Sequence, residues 1–192
     1  MAQSSSHEVF EISRKIRNDG SLSNIEGFNE EMTISQMVRF FNRRGLEFTK
    51  TMIQNYVRIG LLPPPVDKRF YTAQHMLLLN LIHSLKSVYS LEDIKKLFCP
   101  ILKDLATFDD DVMDIPAIYD IYAELYKTAL EDWDSGLPRL ILQLQGLVDS
   151  SSVDNEDKPT VFRFITILTL MAQSISSQRL AKELMSQWFS HT

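Results

Sequence analysis

Cysteine occurs once in the 192 residues, at Cys99. A lone cysteine forms no disulfide within the chain and builds no thiolate metal cluster. Following Leu97 and Phe98, it reads as a small buried hydrophobe. Histidine is nearly as scarce, and His7, His75, His83 and His191 make no ligand set. His75 and His83 stand eight apart, not at the i, i+4 spacing of a helical metal pair. Glycine is limited to 6 residues, and no long run alternates apolar with polar residues, which argues against a sheet protein. The longest apolar run, FITILTLMA from Phe164 to Ala172, is too short to span a bilayer and follows Arg163 directly. The start, MAQSSSHEVFEISRK, lacks the apolar core of a signal peptide. The sequence also lacks a nucleophile-and-base arrangement, a glycine-rich phosphate loop and a metal motif. These absences lead to the expectation of a cytoplasmic protein, not an enzyme, with no catalytic residue, no cofactor, no metal and no membrane segment.

What is present is helical spacing and an uneven charge. The formal net charge is -5, yet residues 33–72 carry seven Lys/Arg against two acids, and residues 101–192 carry seven basic against fifteen acidic residues. That asymmetry suggests units with different partners. Apolar residues recur at helical spacing almost throughout. A first helix is expected over 7–17, then a small and polar linker. Thr33 opens the next helix with Gln36 in the T-x-x-Q capping pattern. The segment NRRGLEF breaks it. Thr49 caps another, with Phe48 and Ile53 as a hydrophobic staple. Gly60 ends that helix in a left-handed turn, and Pro63, Pro64 and Pro65 forbid its continuation. Thr72 and Ser90 cap two further helices, and Pro100 closes the unit. Beyond it, Pro116 starts a helix that Gly136 ends, Pro138 starts another through Leu147, and a long apolar helix, or two in series, covers 162–189. The expected domains are an N-terminal helix and linker (1–31), a reading head (32–100) and a helical dimerisation or effector half (101–192).

Two short capped helices in succession are a candidate helix-turn-helix, whose second helix enters the DNA major groove. Thr51, Gln54, Asn55 and Arg58 fall at i, i+3, i+4, i+7 on the side opposite the apolar residues. These types read base edges: Arg reads guanine, Gln and Asn adenine, Thr a thymine methyl. A solvated helix face explains the same four residues equally well. The following VDKRFY adds weight. It makes a short ribbon with Lys68 and Arg69 at its tip, suited to clamp phosphates, while Phe70 and Tyr71 anchor it. The helix is cut short to make room for this wing.

The block TISQMVRFF…TKTMIQNYVRIGLLPPP…KRFYTAQHMLLLNLIHSLKSVYSLEDIKKLF resembles the MerR-type winged helix-turn-helix. Tyr56, Gly60-Leu61 and Pro63 match that family's close of the recognition helix. Arg69 and Tyr71 match its wing, and Ser90, Leu91, Ile94 and Lys95 its later helices. The resemblance spans about 32–98, and the whole chain is similar to an uncharacterised Firmicutes family with a MerR-like N-terminal half. It implies an all-α fold: a winged helix-turn-helix with a small β-wing, followed by a helical bundle. It also implies a transcriptional regulator that reads DNA with helix 49–59 and clamps the backbone with wing 63–71. The implied contacts are Arg39, Arg43, Arg44, Lys50, Thr51, Gln54, Asn55, Arg58, Lys68, Arg69 and Tyr71. Gln54 stands where the family usually has Arg. The segment after Phe98, interrupted by Pro100 and Pro116, carries no sustained heptads for the family's coiled coil.

The acidic half invites a regulator's plan, with double-stranded DNA as partner, a homodimer, and an unidentified small-molecule effector. Tyr119, Tyr122, Tyr126, Trp133 and Trp188 are candidates for a ligand pocket, although core packing is the commoner role. Asp109, Asp110, Asp111 and Asp114 offer oxygen ligands to a cation but lack the spacing of a calcium loop. The alternative to DNA reading is a protein-interaction module on the winged-helix scaffold.

Overall fold

The structure, a computed structural model, describes residues 2–18, 31–104, 107–108 and 111–189. Among these residues it is mostly helical, with seven helices and one two-stranded sheet. In chain order they are α1 (Ala2–Asn18), β1 (Met32–Thr33), α2 (Ile34–Asn42), α3 (Lys50–Arg58), β2 (Phe70–Tyr71), α4 (Ala73–Leu85), α5 (Leu91–Leu102), α6 (Ile115–Asp149) and α7 (Lys158–Trp188). The chain divides into two compact units, one of Gly20–Glu124 with Met185–Thr192, the other of Met1–Asp19 with Leu125–Leu184.

In the first unit the four expected helix starts all carry their caps. Gln36 Oε1 accepts from the Thr33 amide at 2.9 Å. The Met52 amide donates to Thr49 Oγ1 at 3.1 Å, and the Asp93 amide to Ser90 Oγ at 3.1 Å. At Thr72 the returning acceptor is His75 Nδ1, 3.0 Å from the Thr72 amide. Such caps satisfy amides that have no partner inside the helix and stabilise each start by about 1 kcal/mol. The apolar sides of these helices converge on a core that includes Met37, Phe41, Phe48, Ile53, Tyr56, Leu61, Met76, Leu79, Ile82 and Ile94, all buried. Ile115 and Tyr119 belong to the same core. The compact unit therefore runs to residue 124 rather than to the expected boundary at 100.

Pro100 does not end its helix. It lies in the last turn of α5, which stops at Lys103, where φ is +37°. The DDD run is described only at Asp111; Asp109 and Asp110 lie outside the described residues, as does the linker over 19–30.

In the second unit α1 is longer than expected and packs with α6 and α7. Val9 and Phe10 join a core of Leu137, Ile141, Leu144, Val148 and Phe162. Asp134 accepts from Ser13 Oγ at 2.6 Å and also from Arg17 Nη1. Arg163 Nε donates to Ser5 Oγ at 3.1 Å. The expected break at Gly136 and Pro138 is absent, because α6 is one helix of 35 residues. Leu137, Ile141, Leu144 and Val148 recur every three to four residues and are all buried. Burial of that stripe outweighs what Gly and Pro cost a helix interior. Likewise α7 is one helix of 31 residues. Among the described residues it is the one helix long and apolar enough to cross a membrane, with mean hydropathy 1.2 over its best 18-residue window.

Candidate nucleic-acid interface

The candidate face lies on α2, α3 and the hairpin between α3 and β2. The seven residues from Arg43 to Thr49 that join α2 to α3 are held by one side chain. Asn42 Oδ1 accepts from the Phe48 amide at 2.9 Å, and its Nδ2 donates to the Phe48 carbonyl at 3.2 Å. Gly45, at φ +77°, lets the chain reverse there. Phe48 is thereby seated in the core against Phe41, with ring centroids 4.6 Å apart, and Thr49 caps α3.

Along α3 the two sides separate cleanly. Ile53 and Tyr56 are buried, while Thr51, Gln54 and Arg58 are exposed and Asn55 is half-buried. The structure brings Asn55 and Arg58 together: Arg58 Nη2 donates to Asn55 Oδ1 at 2.6 Å. The helix then stops as expected. Gly60 adopts φ +66°, and the amides of Leu61 and Leu62 return to the Tyr56 carbonyl at 2.8 and 3.2 Å. A lysine from α5 completes this end, with Lys95 Nζ donating to the Ile59 carbonyl at 2.8 Å. A cation there also meets the negative end of the helix dipole.

The hairpin is tight. Val66 and Phe70 exchange backbone hydrogen bonds at 2.8 and 2.9 Å, and Arg69 N donates to the Val66 carbonyl at 3.0 Å. Of the three residues between Val66 and Phe70, Asp67 and Lys68 have positive φ, +50° and +58°. That geometry matches the natural twist of a hairpin. It leaves Asp67, Lys68 and Arg69 exposed at the tip. The return strand pairs antiparallel with β1, Met32 opposite Tyr71 and Thr33 opposite Phe70. The hairpin is thus tied to the start of α2. Below it, His75 lies buried and its Nε2 sits 3.3 Å from the Pro64 carbonyl. Since His75 Nδ1 accepts from Thr72, Nε2 carries the proton and donates. Burial lowers the His75 pKa, although the proline carbonyls partly offset that.

Of the eleven expected contacts, Arg39, Arg43, Arg44, Lys50, Thr51, Gln54, Arg58, Lys68 and Arg69 are exposed. The Arg44 guanidinium stacks 3.7 Å from the Phe40 ring centre, and that of Arg69 lies 5.0 Å from Phe70. Both cations are pre-positioned by aromatic contact. Tyr71 is different. At 5% exposure it lies in the core, and burial raises its phenol pKa. It anchors the hairpin and offers nothing to an external partner. The aromatic residues suggested for a ligand pocket differ in their surroundings. Tyr119 is buried in the first core, Trp133 packs on the second, and Trp188 is 68% exposed. Among the described residues no cluster of three or more His, Cys, Asp or Glu is placed to hold a metal ion.

Three residues that shape the face were missed as such in the sequence. His75 was weighed in the sequence only as a metal ligand, although its place three after Thr72 is the capping position. Asn42 acts on the Phe48 backbone across an irregular loop and Lys95 on the Ile59 carbonyl of another helix end, so helical periodicity gives no sign of their partners.

The comparisons bear on the same unit. The family model that matches is DUF1836, a domain of unknown function, over residues 25–122, just over half of the chain. No curated protein and no solved structure matches.

Proposed function

We propose that this chain, which belongs to the DUF1836 family, is a sequence-specific DNA-binding transcriptional regulator of MerR-like winged helix-turn-helix type. The observation that carries the reading is the exposed set Thr51, Gln54 and Arg58 on one side of α3, beside a tight hairpin that presents Lys68 and Arg69. In this reading α3 lies in the major groove, where Arg58 and Gln54 meet base edges. Arg39, Arg43, Arg44, Lys50, Lys68 and Arg69 meet phosphates and fix the register. The working form is a homodimer on two half-sites, located in the cytoplasm, with the second unit serving assembly or an effector.

The test is selection of the purified chain on a pool of genomic duplex fragments, followed by titration with rising salt. The expected outcome is a small set of fragments sharing an inverted repeat. Arg58→Ala should then lose about 1–3 kcal/mol of discrimination at one base position, whereas Arg69→Ala weakens all sites alike. Both residues are exposed, so unfolding temperatures should stay unchanged. Equal retention of all fragments would sink the reading. It would favour the protein-interaction module, to which the exposed apolar side of α7 also lends support.

A further inference from the structure

Helix α7 is apolar on two opposite sides. Phe162 and Thr166 face the core of its unit and are buried. At 100° per residue, Phe164, Ile167, Leu168, Met171 and Ile175 fall within one arc on the other side. These five side chains are 60, 62, 48, 54 and 49% exposed. We propose that this stripe is the surface on which two copies of the chain pair, antiparallel, about a two-fold axis midway between Leu168 and Met171. The proposal rests on the regulator reading above for its biological purpose, but not for its geometry.

Three features select a second copy. First, Phe164, Leu168, Met171 and Ile175 are spaced 4, 3 and 4 residues apart, so the pattern reads the same in both directions. An antiparallel pair seats Phe164 on Ile175 of the partner subunit and Leu168 on Met171 of the partner subunit. Spacings of three and four are those of helices packed at a shallow angle, and a two-fold interface must be self-complementary in this way. Second, the area is right. At roughly 200 Å² per large side chain, the five leave about 500 Å² of apolar surface in water, at the level that marks interaction sites on monomers. Mutual burial then removes about 1,000 Å², close to the roughly 1,200 Å² where stable interfaces begin. Third, the stripe is uncharged from Phe164 to Ile175, so pairing leaves no like charges facing each other.

A lipid bilayer is the competing occupant, since α7 has the length and hydropathy to cross one. The rest of its surface does not suit that. Arg163, Gln173 and Arg179 are exposed on the same helix, and charged side chains are costly in hydrocarbon.

The experiment is sedimentation velocity of the full chain at several concentrations, for wild type, Leu168→Glu, Met171→Glu and the control Leu142→Glu. Leu142 is 71% exposed and lies on α6, not on the helix that carries the stripe. The expected result is a wild-type dimer that Leu142→Glu retains. Each stripe variant should weaken it by about 100-fold or more, because it buries carboxylates without partners. Unchanged helical circular dichroism shows that the exposed substitutions leave the fold alone. A wild-type monomer at all concentrations, or a dimer that both stripe variants preserve, overturns the proposal. Capture of a monomeric wild type by phosphatidylglycerol vesicles also overturns it, in favour of lipid. The DNA reading is scored separately on the same samples. A stripe-dependent dimer that selects no fragment keeps the interface and removes the regulator. Half-site binding by the Leu168→Glu monomer supports both.

Discussion

Asn42 uses both ends of its amide on the backbone of Phe48, and so sets where α3 begins. Asn42→Ala leaves the amide of a buried residue without its partner. The expected loss is about 2 kcal/mol of stability, read as a lower urea midpoint at unchanged slope. His75 gives a pH dependence with a definite sign. Its folded pKa lies below the ordinary 6.5 because burial disfavours the charged ring. Between the two values the unfolded chain binds more protons than the folded one. Its contribution is therefore full above pH 6.5 and lost as the pH falls towards the folded value. Protonation also removes the Nδ1 acceptor from the Thr72 cap. Half-buried His83, whose pKa is lowered by burial first and by Lys86 second, adds to the same slope. His75→Gln keeps an acceptor at the capping position, as Gln36 does for α2. Urea midpoints at pH 7.5 and 5.5 should differ less in this variant than in wild type. The residue scale was half legible: the caps at Thr33, Thr49, Thr72 and Ser90 stand in the local sequence, and Tyr71 anchors the hairpin as its pattern suggested, while its burial removes the outward contact that the family resemblance implied.

The short helices were readable because each carries its own start and stop within one or two turns. Gly60 is the clearest case, since its left-handed turn and the prolines after it agree. The long helices were not. Gly136 and Pro138 are real local penalties, and only the burial of Leu137, Ile141, Leu144 and Val148 shows why α6 passes through them. This makes a prediction. A Cβ added at Gly136 meets nothing within 4 Å, and the residue is helical. Gly136→Ala should therefore stabilise α6 by about 0.5–1 kcal/mol, seen as a higher melting temperature. In α7 the apolar stripe and the buried side lie opposite each other, so the helix reads as uniformly apolar.

The net charge of -5 describes neither end of the molecule. The family match over 25–122 and the compact unit over 20–124 cover nearly the same residues, and the basic stretch lies inside both. Under the proposed DNA reading, a chain acidic overall but basic at one surface should bind with a strong salt dependence despite its sign. Lys68→Ala with Arg69→Ala should make the slope of log affinity against log salt shallower by about 2 for each protomer bound. The Leu168→Glu monomer should show about half the wild-type slope if a dimer contacts phosphates twice. Fluorescence anisotropy across a salt series measures both. Charge asymmetry was legible in the sequence. The division after Glu124 was not, because Ile115 and Tyr119 join the first core across a segment interrupted by prolines.

The meeting of Gly60 and Lys95 has a consequence for how this chain can change over generations. A Cβ at Gly60 would stand 3.2 Å from Lys95 Nζ, on a backbone held at φ +66°. Shortening Lys95 removes the first obstacle and leaves the second, so no change at Lys95 alone makes alanine comfortable at position 60. The reverse order is open: with Gly60 in place, Lys95 can be replaced at the cost of one hydrogen bond. Position 60 is thus the more constrained of the two. Substitution is therefore expected to be tolerated at position 95 more readily than at position 60, where asparagine, the side chain that best tolerates that backbone, is the least strained replacement.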